Sequence, residues 1–223
     1  MLHLLIRWLL APLVRLIWRP EVRDADKVPL TGPVILAANH NAALDTAIIP
    51  IVTPRPVKFL GKAEYFTGKG VRGRVMANFL TALGYVPVER GNAMAGLAAL
   101  ESARRVLDDG GAFGIYPEGT RSLDGNLHRG HTGVAALALA TGATVVPVAL
   151  SGTEKLQPKG RRVPRVTPIS VRFGDPLEFS RYDGMDNSPA IRRSVTDEIM
   201  YAILELSEQQ YVDRYHKRPD DSA

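Results

Sequence analysis

Apolar and polar positions in this chain fall into two alternating kinds of block. Short continuous apolar runs bounded by turn residues read as buried strands, and longer stretches with apolar residues three or four apart read as helices. The run Pro33–Ala38 (PVILAA) follows the turn-like Thr31-Gly32 and predicts a strand. Val57–Leu60, Tyr85–Val88, Ala112–Tyr116, Val145–Leu150 and Ile169–Phe173 predict others. Helices are expected over Asn41–Val52 until Pro54 stops it, over Val71–Leu83, over Ala93–Leu107 before Gly110-Gly111, and over Gly130–Ala140. Ser188-Pro189 is a cap and first-turn pair opening a long last helix, whose apolar stripe is Ile191, Val195, Ile199 and Ile203. Strands alternating with helices imply an α/β class: a single-domain mixed sheet flanked by helices. Residues 29–214 form this expected domain, and a polar, frayed tail is expected over residues 215–223.

The first residues follow a different pattern. MLHLLIRWLLAPLVRLIW is strongly apolar but broken by Arg7, Pro12 and Arg15. A spanning helix wants about 20 mostly apolar residues without central charges, and a secretory signal wants an unbroken apolar stretch and a small-residue cleavage site. At about 100° per residue, Arg7, Arg15, Arg19, Trp8 and Trp18 share one arc of roughly 120°. Leu2, Leu5, Ile6, Leu9, Leu10, Leu13, Leu16 and Ile17 fill the other side. Residues 1–28 are therefore expected to be an N-terminal interfacial amphipathic helical segment, touching a membrane surface through Leu2 to Arg19. The alternative is a helix packed on the protein's own core.

Charge narrows the partners. The 223 residues carry a formal net charge of +5, with 23% charged residues, and a pI of about 9.6, so phosphates or an anionic membrane are favoured. No zinc-finger spacing or RNP-type motif is present, and nucleic acid is not expected. The absence of cysteine excludes a thiol nucleophile and thiolate metal sites.

Candidate chemistry lies at strand ends, where α/β sheets place their sites. Asn39-His40-Asn41-Ala42-Ala43-Leu44-Asp45 follows the first long strand. On one continuous helix His40 and Asp45 would point about 140° apart. With His40 in the turn and the helix beginning after it, Asp45 reaches back to the imidazole, fixing its tautomer and stabilising the imidazolium. A capping Asn or Asp beside an incidental histidine is the bland alternative. Tyr116-Pro117-Glu118-Gly119-Thr120-Arg121-Ser122 also follows a strand. Gly119 permits close backbone approach, Arg121 offers a fork for phosphate, and Glu118 could orient an arginine or a hydroxyl; a polar turn with a local Glu–Arg pair is the alternative. Lys62 and Arg90 stand after two further strands. His128 and His131 flank Arg129-Gly130, but with no carboxylate recognised at useful spacing no metal is expected. The basic run from Lys155 to Arg165 reads equally as a lipid or carrier contact and as a solvated loop.

Together these residues resemble the glycerophosphate and lysophosphatidate acyltransferases, the 1-acylglycerol-3-phosphate acyltransferase group. Asn39, His40 and Asp45 match its first block. Gly84 to Arg90, preceded by Lys62, match the second; Pro117 to Ser122 match the third; Val146, Pro147 and Val148 match the fourth. Ala42 departs from the serine common in relatives. The resemblance implies that His40 deprotonates an acceptor hydroxyl, with Asp45 orienting the ring, for direct attack on an acyl thioester. It implies that Lys62, Arg90, Glu118, Gly119, Thr120 and Arg121 form the acceptor site. The expected partners are a phosphate-bearing lysolipid and acyl-CoA or acyl-carrier protein as co-substrate, with no further cofactor, on the cytoplasmic face of a membrane. A glycolipid or other lysophospholipid acceptor, a hydrolase and a non-catalytic peripheral lipid binder are the competing readings.

Overall fold

The computed structural model describes residues 12, 15–68, 70–88, 93–156 and 165–216, save the side chains of Lys62, Ala82 and Ala93. Nine strands occur among them: β1 Glu21–Arg23, β2 Val34–Ala38, β3 Val57–Lys62, β4 Tyr85–Val88, β5 Ala112–Ile115, β6 Leu127–His128, β7 Thr144–Ser151, β8 Ser170–Phe173 and β9 Tyr211–Val212. The α-helices are α1 Asp45–Val52, α2 Gly70–Ala82, α3 Ala93–Asp108, α4 Gly133–Thr141, α5 Thr153–Leu156 and α6 Pro189–Leu206. Seven strands form one sheet in the order β1-β8-β7-β2-β5-β3-β4. Pairing is parallel from β7 through β2, β5 and β3 to β4, and antiparallel only between β7 and β8. The short strands β6 and β9 pair separately.

β2 sits at the centre because all five of its residues are apolar, and all five are buried. A strand with helices on both faces tolerates no polar side chain on either. Val34, Leu36 and Ala38 join the core under α1 and α2, where Ile48, Ile49, Phe59 and Phe173 are buried. Ile35 and Ala37 face the other core, made with α3, α4 and α6 through Leu107, Leu137, Val195 and Ile199. Within β5, Gly114 is required by contact: a Cβ there would come within 2.0 Å of the Phe59 ring.

Most predicted elements appear within a residue or two of their expected ends. α6 opens as expected, with Ser188 Oγ accepting from the Ile191 N–H at 3.4 Å, and Val195, Ile199 and Ile203 are buried from its stripe. The first helix differs. It begins at Asp45 rather than Asn41, because the Asp45 carboxylate accepts from the N–H groups of Asn41 and Ala42, each at 2.7 Å. Those bonds hold residues 41–44 as a turn. The strands β1, β6 and β9 have only two or three residues each, too few to show a period.

Much of the N-terminal segment lies outside the described residues. Within it, residues 15–18 are helical, Leu16 is exposed, and Trp18 Nε1–H donates to the Arg165 carbonyl at 2.8 Å. No helix among the described residues is long and apolar enough to cross a membrane. Of the expected tail over residues 215–223, Tyr215 and His216 are described: the Tyr215 ring stacks on His131 with centroids 4.6 Å apart, and His216 lies 4.3 Å from His128; the rest lies outside the described residues.

Candidate active site

Parallel pairing of β2, β5, β3 and β4 brings their carboxyl ends to one edge of the sheet. That edge receives Asn39-His40 after β2, Tyr116 to Ser122 after β5, and Lys62 at the end of β3. β4 ends at Val88 and leads toward Arg90, which lies outside the described residues.

The turn after β2 is built on Asn39. Its side chain is fully buried and bonds both main-chain groups of Leu150 on β7: Nδ2 donates to the carbonyl at 3.0 Å, and Oδ1 accepts the N–H at 2.7 Å. The strand end is thus sealed by an amide that imitates a neighbouring strand. His40 then leaves the sheet, and its Nδ1 lies 3.0 Å from Asp45 Oδ2. An ionised carboxylate can only accept, so Nδ1 carries the proton and Nε2 is left as the basic nitrogen. Asp45 is fully buried, and its Oδ2 serves the His40 ring and two backbone N–H groups together. Its other oxygen, also buried, has no hydrogen-bond partner. A positive charge arising on His40 would meet this carboxylate in a poorly solvated place, where attraction is strong.

A second face of the imidazole is covered. The Tyr116 ring stacks on His40 with centroids 4.0 Å apart and planes 14° from parallel. Phe59 backs Tyr116 in turn, at 5.7 Å. Burial pushes the Tyr116 hydroxyl well above its ordinary value, so it remains a neutral phenol.

Glu118 lies beneath the loop. It is 1% exposed and accepts from the His40 N–H at 3.4 Å and the His128 N–H at 2.9 Å. Burial pushes its carboxyl up to about 7, against those hydrogen bonds. Such a residue shapes the loop from inside and presents no oxygen to solvent. Ser122 N–H donates to the His40 carbonyl at 2.7 Å, so the two strand-end loops are bonded on both sides of His40. Gly119 has φ +72°, and a Cβ there would lie 3.1 Å from the His131 ring; glycine alone fits comfortably. Thr120 is half-buried and Arg121 is exposed.

Sequence reading missed Gln209. It follows α6 and touches the turn from the far end of the chain. Its Oε1 accepts from Asn39 Nδ2 at 2.7 Å, and its Nε2 donates to Asn41 Oδ1 at 3.2 Å and to the Gly125 carbonyl at 2.9 Å. Nothing local marks it, since Asn41 is 168 positions away. Also missed was Asp124, four residues before His128, whose oxygens lie 3.0 and 3.1 Å from His128 Nε2. Burial pushes the Asp124 carboxyl up, but hydrogen bonds from His128, Asn126 and Ser122 outweigh it and hold the group below the usual range. His131, on the other side of Arg129-Gly130 in sequence, stacks its ring on Tyr215.

Comparison with known proteins gives this arrangement a family. The family model described as Acyltransferase matches residues 19–151, from the N-terminal segment through the end of β7. The chain belongs to the acyltransferase family. Among curated acyltransferases, it is 34% identical over 148 residues to a 1-acyl-sn-glycerol-3-phosphate acyltransferase of Chlamydomonas reinhardtii, covering 66% of this chain and 41% of that one. It is 30% identical over 172 residues to the chloroplastic enzyme LPAT1 of Arabidopsis thaliana, covering 76% and 47%. The chain thus spans less than half the length of these two relatives. A relative of the same name from Bacillus subtilis is 23% identical over 188 residues, covering 83% and 87%. The crystal structure of the 1-acyl-sn-glycerophosphate (LPA) acyltransferase PlsC of Thermotoga maritima superposes with a TM-score of 0.66 at 24% identity, covering 91% and 82%. That likeness establishes the acyltransferase fold, with its mostly parallel sheet flanked by helices.

Proposed function

We propose that this protein transfers a fatty-acyl group from a thioester carrier, acyl-CoA or acyl-carrier protein, to the free hydroxyl of lysophosphatidate or a similar glycerol-phosphate lipid, giving phosphatidate. The observation that carries the reading is the His40–Asp45 pair, held in one tautomer at the carboxyl edge of the sheet. Relatives named as 1-acyl-sn-glycerol-3-phosphate acyltransferases support the acceptor.

His40 Nε2 takes the proton of the acceptor hydroxyl as that oxygen attacks the thioester carbonyl. Asp45 offsets the charge that the ring gains, and Tyr116 keeps the ring plane fixed. Collapse of the tetrahedral intermediate expels the thiolate, and the imidazolium returns its proton to the sulfur. No acyl-enzyme is required. A positioned base contributes about 10²–10⁴-fold, and holding both reactants in line contributes much of the rest. Arg121, with Lys62 from the end of β3 and Arg90 from the sequence after β4, binds the acceptor phosphate; an arginine fork matches its oxygens. Gly119 and Thr120 form the backbone of that pocket, and Glu118 holds its loop. The segment Leu2 to Arg19 anchors the protein on a membrane surface, and Leu16, exposed beside Arg15, supports this.

Thiol release from acyl-CoA, measured with and without lysophosphatidate, tests the activity. Release only with acceptor is expected. Equal release without it would identify a hydrolase, and none in either case would leave a lipid binder. For the anchor, deleting Met1 to Arg19 is expected to free the protein from anionic vesicles; unchanged co-sedimentation would end that part of the reading.

A further inference from the structure

Asp124, His128 and His216 bring one potential ligand atom each to within 4.8 Å of one another. Asp124 and His128 follow the Pro117–Ser122 loop in sequence and are bonded to it through Ser122 and Glu118. The group is built rather than incidental. Asp124 Oδ1 is oriented by Ser122 Oγ–H at 3.0 Å and by the Asn126 N–H at 3.1 Å. His128 is 6% exposed, with its main chain fixed in β6 and by the bond to Glu118. His216 closes the group from the segment after β9, its ring tilted against that of His128.

His128 stands between the other two groups. Its Nε2 faces the Asp124 carboxylate at 3.0 and 3.1 Å, and its ring centroid lies 4.3 Å from that of His216.

We propose that Asp124, His128 and His216 bind a divalent transition-metal ion of the zinc class, through one carboxylate oxygen and one nitrogen from each ring. Two imidazoles and a carboxylate suit that class, whereas magnesium and calcium prefer oxygen ligands alone. A tetrahedral ion with bonds of about 2.0–2.1 Å sets its ligand atoms roughly 3.3 Å apart. The Asp124–His128 pair already has nearly that spacing, at 3.0 and 3.1 Å. His216, half-buried in the segment after β9, closes the remaining gap on binding; water fills the fourth position. The ion ties the C-terminal segment to the loop that carries Arg121. It takes no part in acyl transfer, and the proposal stands apart from the acceptor reading.

The test uses the full-length, untagged chain, stripped with EDTA and titrated with Co²⁺. Saturation at one equivalent is expected, with the visible absorption of tetrahedral cobalt, displaced by Zn²⁺. At a free Zn²⁺ concentration about 100 times Kd, Tm should rise by about 5 °C or more. His216→Ala and Asp124→Asn should each weaken Co²⁺ binding by about 100-fold or more, while His131→Ala leaves it unchanged. No saturable cobalt signal would overturn the proposal and leave a hydrogen-bonded Asp–His pair. An unaltered titration in His216→Ala, with the variant's fold checked by circular dichroism, would overturn it equally.

Discussion

Around His40, side chain and main chain are bonded from all sides. Asp45 holds the ring, Tyr116 covers it, Glu118 and Ser122 hold its N–H and carbonyl, and Asn39 and Gln209 seal the turn before it. Arg121, on the same edge of the same sheet, is exposed and stands on a loop whose fixed points are its buried neighbours Glu118 and Ser122. On the proposed function, the difference follows from what each region would do. A base must hold its tautomer and position before the substrate arrives, since reorganising during reaction costs rate. A phosphate brings its own charge, and a long arginine can close on it during binding. On that reading one region is preorganised, and the other is completed by its ligand.

Four experiments would break or sharpen this contrast. The largest effect is expected from the preorganised side: His40→Ala should lower kcat by about 10²–10⁴-fold with the fold intact. Asp45→Asn should approach that loss, because an amide lets the ring take the wrong tautomer. Retention of more than about a tenth of wild-type kcat in His40→Ala would remove the base from the mechanism, given that range. Next, Arg121→Ala should raise the acceptor KM by roughly 10- to 100-fold, the worth of a charge-assisted hydrogen bond, with donor KM nearly constant. Arg121→Lys should recover part of this. Initial rates against acceptor concentration at saturating donor make the check, and equal kcat/KM for phosphorylated and neutral acceptors would sink the phosphate reading.

Gln209→Ala belongs to the base side although it touches no substrate. Loss of its bonds to Asn39 and Asn41 should lower kcat by about 3- to 10-fold and leave acceptor KM alone, at roughly 0.5–1.5 kcal/mol per hydrogen bond. A change in acceptor KM instead would tie Gln209 to the cation side.

The smallest kinetic effect and the clearest pH signature should come from Glu118. Its folded value of about 7 stands above its ordinary 4.5, so the folded protein keeps a proton that the unfolded chain has lost. Stability should therefore be highest below about pH 4.5 for this group, fall as pH rises toward 7, and level off above it. The fall is on the order of 3 kcal/mol. Denaturant midpoints of wild type and Glu118→Gln across that range measure it; a parallel pH dependence in both would assign the effect elsewhere.

The chain order of apolar runs determined the α/β class and the burial of β2, and Ser188-Pro189 determined the start of α6, because each depends on residues close in sequence. The His40–Asp45 contact was legible for the same reason: five residues and a turn bring the groups together. Tertiary structure decided what no spacing encodes. The Asn39 amide closes on Leu150, Gln209 returns from the end of α6 to brace the turn, and Tyr116 slides over the imidazole. Glu118, which in the sequence could have faced a ligand, proved to be a buried post between two loops. Asp124 and His128 stood four apart in plain view, but His216 joined them only through the pairing of β6 with β9. Local chemistry selects which groups can react; long-range packing fixes which of them are held still, because only contacts between distant elements remove the freedom that a short segment retains.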